Sequence, residues 1–255
     1  MYMSSRRNKY KTRQTLGFLA LLAVVASVVL FSPASYETVY LPVEQSETAD
    51  DFVASGNAEP LGVSNDQTLA INLLETLEVK GRAPKTGYER EQFYKTWPAV
   101  DGCNLRQRII KRELGQSATL ADDNCTVLSG EYDEPYTGSH LIFYQKSDLT
   151  KGIQIDHVVA LSDAWQKGAQ NLSADERYAL ATDPLNLLAV DAKTNQQKSD
   201  GDAATWLPPN KSFRCAYVAR QVSVKSKYHL WVTDAEKEAI KKVLSSCPYE
   251  QTVGL

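Results

Sequence analysis

The chain has 255 residues, with 28 basic and 31 acidic side chains and a formal net charge of −3. That length allows one domain with a real core plus additional segments. The near-neutral balance excludes a protein that grips polyanions through bulk charge, so any phosphate-binding surface must be a local patch.

The charge is unevenly spread. Residues 1–31 hold five basic side chains (Arg6, Arg7, Lys9, Lys11 and Arg13) and no acid. An apolar run from Leu16 to Phe31 follows the basic stretch, interrupted only by Gly17 and Ser27. Such a run suits an export signal and is short for a membrane span. The small residues Ser32, Ala34 and Ser35 then offer a cleavage site. Residues 1–35 read as a signal peptide, with an uncleaved membrane anchor as the alternative. Both place the remainder outside the cytosol. Residues 36–68 carry seven acids and no Lys or Arg, with few large apolar side chains, and read as a flexible acidic spacer. Residues 69–255 are left at a net charge of −1.

Regular structure is predicted from about Asp66 onward. Leu69, Ile71, Leu73, Leu74 and Leu77 suit a helix packed on a core. A second helix is predicted over Asn104–Leu114, a short strand over Cys125–Leu128, and a turn at Tyr136-Thr137-Gly138. Ile153–Leu161 reads as a strand and Ala164–Ala169 as helical. Ser173-x-x-Glu176 is a capping box that opens a helix ending before Pro184. Leu185–Val190 reads as a short apolar strand, and Asp191 caps a helix running to about Ser199. Tyr217–Val224 fits strand and helix equally. Thr233-x-x-Glu236 is a second capping box, and the helix behind it buries Ala239, Ile240, Val243 and Leu244.

All four cysteines lie in the region expected to be exported. Of three pairings, Cys103–Cys125 and Cys215–Cys247 are preferred because each closes a modest local loop. Each adds roughly 3 kcal/mol in the chain-entropy model. A zinc site is the rival reading, weakened by the absence of any C-x-x-C spacing.

Three clusters carry chemistry: Asp156-His157 on a strand, Asn186 on the next, and Asn195-x-x-Lys198 on the following helix. Phosphodiester hydrolysis needs a base near neutral pKa, a divalent cation, and hard oxygen ligands for that cation. A carboxylate and an amide oxygen meet the last need. Neighbouring strand residues point to opposite faces, so Asp156 and His157 share one site only where the strand bends or ends. Asn195 and Lys198 share a helix face and can approach one phosphate. Taken singly, each residue has a bland reading: Asn186 as a backbone brace, Lys198 as a solvated cation. Arg106 and Arg177 suit phosphate clamps or surface ion pairs, and Arg90 is similar. His140 and His229 read as structural or exposed. Trp97, Trp165, Trp206 and Trp231 read as core rather than base-stacking platforms.

The order Asp156-His157, Asn186-Leu187, Asn195-x-x-Lys198 resembles an HNH nuclease motif of the His-Asn-Asn variety. More broadly, residues 70–248 resemble small exported HNH endonucleases related to the nuclease part of GmrSD-type restriction enzymes. That likeness extends to Gly87-Tyr88-x-Arg90-x-x-Phe93, Asp101-x-Cys103-x-x-Arg106, Tyr136-Thr137-Gly138, Ala164-Trp165-x-x-Gly168-Ala169, Trp206-Leu207-Pro208-Pro209 and Cys247. The resemblance implies an α+β fold: a ββα-metal core with added helices and two disulfides, over residues 69–250. It implies Asp156 and Asn195 as ligands of one divalent ion, Mg²⁺ or Mn²⁺ with Zn²⁺ also acceptable. It implies His157 as the base, Asn186 bracing the loop or orienting His157, and Lys198 on phosphate. Arg106 and Arg177 stand as substrate-binding candidates. The expected activity is endonucleolytic, on DNA and perhaps RNA, with little sequence preference, by a monomer that meets a membrane only through an uncleaved N-terminal segment. The alternative is an inactive cell-surface binding module on the same scaffold. The 23 residues from Ser162 to Pro184 form an insertion where such cores usually have a short loop.

Overall fold

The computed structural model describes residues 68–254. The expected signal or anchor, and the spacer apart from Thr68, lie outside them. The fold is α+β, as the sequence implies. Its helices are α1 (Ala70–Thr76), α2 (Leu105–Leu114), α3 (Lys146–Gly152), α4 (Leu161–Trp165), α5 (Ala174–Thr182), α6 (Ala192–Lys198), α7 (Arg214–Lys227) and α8 (Asp234–Leu244). The strands are β1 (Ala99–Val100), β2 (Cys103–Asn104), β3 (Thr119–Leu120), β4 (Val127–Asp133), β5 (His140–Phe143), β6 (Ile153–His157) and β7 (Leu187–Asp191).

The central unit is the antiparallel pair β6–β7, in register from Ile153 opposite Asp191 to His157 opposite Leu187. Alternation along the strands divides the core. Ile153, Ile155, Leu187 and Ala189 pack with Leu105, Ile109, Ile110 and Leu114 of α2. Leu188 and Val190 pack on the other face with Tyr217, Val218 and Val222 of α7 and with Ala70 and Leu74 of α1. Asp191 ends β7 and caps α6, its carboxylate accepting from the Thr194 backbone N–H at 2.7 Å. The chain thus runs strand, strand, helix with no slack between β7 and α6.

The insertion between β6 and β7 builds a third packing group. Ala164, Trp165, Ala169, Leu180 and Ala181 are buried with Phe93, Tyr94 and Leu230. Its α5 carries the predicted capping box, complete in both directions between Ser173 and Glu176. The second predicted box is only half formed. Thr233 Oγ1 accepts from the Glu236 backbone N–H, but the Glu236 side chain turns inward to Lys167 and Lys225.

Two local readings are corrected and an open one is resolved. The strand predicted over Ile153–Leu161 stops at His157, and α4 begins at Leu161. The strand predicted at Cys125–Leu128 starts two residues later and extends to Asp133. Gly130 on it has φ +152°, and a Cβ there would lie 2.6 Å from Leu114. The ambiguous segment 217–224 lies in α7. Its burial is nearly continuous from Tyr217 to Lys225, which erases the polar stripe that marks an amphipathic helix.

Both predicted disulfides, Cys103–Cys125 and Cys215–Cys247, are present. The first ties β2 to the approach of β4, and the second ties the start of α7 to the chain just past α8. The two ends of the described region also meet, Ala70 N–H donating to the Glu250 carbonyl and Thr252 N–H to that of Thr68.

Candidate active site

A cleft of about 340 Å³ opens at the end of β6, lined by Asp156, His157, Asn195, Ser162 and Asp200, with Lys85, Tyr88 and Arg90 on its N-terminal side. Because β6 ends at His157, side chains that leave the strand on opposite faces both border this space.

Asp156 faces α6. Its Oδ1 accepts from Lys198 Nζ at 2.9 Å and its Oδ2 from the Tyr136 hydroxyl. Lys198 also donates to the His157 carbonyl at 2.9 Å, so one ammonium fixes both the carboxylate and the end of the strand. Burial pushes the Asp156 carboxyl above the usual range, opposed by the Lys198 charge and by both hydrogen bonds. Tyr136 is held in turn by Glu134. That buried carboxylate accepts from the backbone N–H groups of Tyr136, Thr137 and Asp191.

His157 faces the insertion. Its Nε2 lies 3.0 Å from the Ala181 carbonyl, which can only accept. Nε2 therefore carries the proton and Nδ1 the lone pair. The imidazole is stacked at 8° on Trp97, with Tyr94 tilted beside it, each ring 5.9 Å away. Burial pushes its pKa down to about 3 despite the Ala181 bond, and the Arg90 and Lys198 charges push the same way. The ring is neutral at physiological pH.

Asn186 does not reach the cleft. Its Oδ1 accepts from the Val159 N–H at 2.8 Å, and its Nδ2 donates to the Val159 and Leu180 carbonyls. Of the two roles implied for it, the geometry shows bracing: it pins the loop after β6 to α5. Asn195 lines the cleft, with Nδ2 donating to Gln154 Oε1 at 2.9 Å, which leaves its Oδ1 as the oxygen available for a ligand.

Other expected site residues lie elsewhere. Lys198 is fully buried and holds Asp156 rather than lining the cleft. Arg106 donates to the Ile153 carbonyl at the far end of β6. Arg177 donates to the Gln92 and Leu172 carbonyls and lies over the Trp165 ring. Neither arginine lines the cleft. His140 and His229 are exposed, as expected. Tyr136, Tyr94 and the Ala181 carbonyl were not assigned to the site from sequence, and Trp97, read there as core, stacks on the imidazole. Tyr136 had a signal, in the Tyr136-Thr137-Gly138 motif. A backbone carbonyl has none.

A carboxylate, an amide oxygen and water are a donor set suited to a hard divalent ion. The Asp156 carboxylate has about four acceptor positions, more than its hydrogen bonds from Lys198, Tyr136 and the His157 backbone occupy, so the residues present fit such an ion. The grouping of Cys215, Cys247 and Glu250 does not fit one, because its two sulfurs are bonded to each other.

At the end of β6 the strand pair and the following helix thus border one cleft with a carboxylate, an imidazole and an amide. Residues 105–243 match the family described as GmrSD restriction endonucleases, C-terminal domain, and the chain belongs to that family. Its domain is therefore of the nuclease type. A protein of Arthroderma benhamiae described as an uncharacterized secreted protein is 37% identical over 181 residues, covering 70% of this chain and 84% of that one. No solved structure matches. Among the described residues, no helix is long and apolar enough to cross a membrane.

Proposed function

We propose that the chain is an exported endonuclease of the His-Asn-Asn kind that hydrolyses phosphodiester bonds of nucleic acid with the help of one divalent ion. The observation that carries this reading is the paired placement of Asp156 and His157 at the end of β6, with the His157 proton fixed on Nε2 by Ala181. Asp156 and Asn195 would hold Mg²⁺ or Mn²⁺, which supplies charge to the phosphate oxygens as negative charge builds.

His157 Nδ1 takes a proton from water as the water oxygen attacks phosphorus. The bond from phosphorus to the 3′ oxygen breaks, and that oxygen leaves with the electron pair and is protonated from solvent. A 5′-phosphate end results. The imidazole is neutral before the reaction, but burial that holds its pKa at about 3 also makes it a weaker base than the near-neutral one this chemistry favours. Its role rests on placement by Ala181 and Trp97. Lys198 keeps Asp156 ionised and stationary, and Asn186 keeps the strand end from shifting. Two disulfides and the likeness to a protein described as secreted support export.

Plasmid nicking by the purified chain tests the reading. Cleavage is expected with Mg²⁺ or Mn²⁺, none with chelator, and a loss of roughly 10²-fold or more in His157→Ala. Cleavage untouched by chelator, or by that substitution, overturns it.

A further inference from the structure

The family match spans residues 105–243 and does not cover the segment before it. Yet that segment forms one wall of the cleft. Lys85, Tyr88 and Arg90 line it directly, and Tyr94 and Trp97 wall the imidazole. We propose that this segment receives a single unpaired strand of nucleic acid, with Tyr88 as the stacking surface and Lys85 and Arg90 as its phosphate contacts. The proposal rests on the nuclease reading and names the form of substrate.

Four observations carry it. First, Asp156 and His157 are each only 5% exposed and lie within the cleft. Its volume of about 340 Å³ is at the small end for a small-molecule pocket and leaves room inside for about one nucleotide.

Second, the Tyr88 ring is partly exposed and rigidly backed. Phe93 lies 6.2 Å and Trp165 6.1 Å from it, both inclined to its plane, so it is supported from behind and does not need to collapse onto a neighbour. A base stacks on such a surface whatever its identity.

Third, the cations are free to change partner. The acids of the cleft, Asp156 and Asp200, are already matched by Lys198 and Lys85. The Lys85–Asp200 pair is half exposed at 3.3 Å, and such a pair is weak in water. Arg90 has no carboxylate partner among the described residues. It lies over the Tyr94 ring and donates to the Tyr94 hydroxyl, which presents its remaining N–H groups at the rim.

Fourth, Lys85 and Arg90 lie on either side of Tyr88 in sequence, and Lys85 Nζ lies over the Tyr88 ring, 5.4 Å from its centroid, so a base that stacks there takes the place of an ammonium that moves to a phosphate. Interleaved cations and aromatic surface are what a single strand requires, with phosphates and bases alternating along it.

The test is binding of the full chain, in chelator so that nothing is cut, to a fluorescein-labelled oligothymidylate and to a duplex of the same length. The single strand is expected to bind roughly tenfold tighter or more. Tyr88→Ala should weaken single-strand binding by roughly tenfold, and Tyr88→Phe should restore it. Lys85→Ala and Arg90→Ala should each lower the salt slope by roughly one counterion. Lys85 is exposed, so its variant remains informative where Tyr88→Ala fails to fold. Equal binding of duplex and single strand, or unchanged single-strand binding and salt slopes in the variants, overturns the proposal. Because binding is read without cleavage, these outcomes are separate from a failure to nick plasmid with metal, which would overturn the nuclease reading itself.

Discussion

The Nε2 proton of His157 is held by the carbonyl of Ala181, 3.0 Å away, on a helix that the chain inserts between the two strands of its central pair. The insertion is therefore part of the site. It sets the tautomer of the imidazole and, through Leu180, helps anchor Asn186. The same environment makes stability depend on pH. Unfolded, the imidazole takes a proton near its ordinary pKa of about 6.5; folded, it does so only near 3. Between those values the unfolded chain holds more protons, so stability is full above the upper one and is lost as pH falls toward the lower. Urea midpoints measured across that window should fall with acid, and His157→Gln should flatten the dependence. An identical slope in the variant would remove the buried neutral imidazole from the account.

Lys198 and Asp156 form a second such relationship. The ammonium is fully buried and the carboxylate nearly so. Removing one member of a buried pair leaves the other uncompensated, at a cost of about 3–5 kcal/mol. Lys198→Met should lower stability on that scale and should abolish nicking, because Asp156 then has less reason to remain ionised. Guanidinium denaturation and the plasmid assay read the two effects separately. A variant that keeps full stability and full activity would show that the pair organises nothing.

The pattern of residues made the central unit readable. Alternating β-branched and apolar side chains and a capping aspartate at the end of β7 each state their own geometry, whereas the i, i+3 spacing of Asn195 and Lys198 does not bring both to the cleft, since Lys198 is buried against Asp156. The cysteine pairing followed from loop length alone. What sequence concealed has physical causes. The end of β6 was missed because Val158 and Val159 continue the β-branched pattern, while their burial comes from packing on other elements. α7 was ambiguous because it is buried nearly all round. Lys198 looked like a surface cation because nothing local tells a lysine that its partner is a carboxylate 42 residues earlier in the chain. Arg106 and Arg177 looked like phosphate clamps, whereas their partners are backbone carbonyls, which have no signature in sequence.

The same blindness hid a buried charge cluster. Lys167 contacts Asp163, Asp202 and Glu236, and Lys225 contacts Asp163 and Glu236, with all five side chains almost wholly buried. Arg82 closes the group at its partly exposed edge through Asp163 and Asp202. Burial would raise the Asp202 carboxyl, but Lys167 and Arg82 outweigh it and hold the group down at about 2. Its contribution is complete above the ordinary carboxylate pKa near 4 and is lost as pH falls toward 2. Asp202→Asn should therefore weaken the fold at neutral pH and reduce its further loss in that acid range. Glu236→Gln should cost about 3–5 kcal/mol, since it leaves two buried ammonium groups short of a counter-charge. Thermal melts at neutral and acid pH check both.

Trp97 offers the most direct check on the imidazole. The chain has three histidines, and two of them, His140 and His229, are exposed. Desolvation is the largest cause of the low His157 pKa, and the stacked Trp97 ring supplies part of the cover. In a proton NMR titration of the wild type, His140 should titrate above its ordinary range because Asp133 accepts from it. His157 should stay neutral down to strongly acid pH. Trp97→Ala lets water reach the ring, so its pKa should rise toward the ordinary value while the Ala181 hydrogen bond remains. A His157 imidazole that titrates in its ordinary range in the wild type would mean that the ring is not enclosed, and the case for a preset neutral base would fail with it.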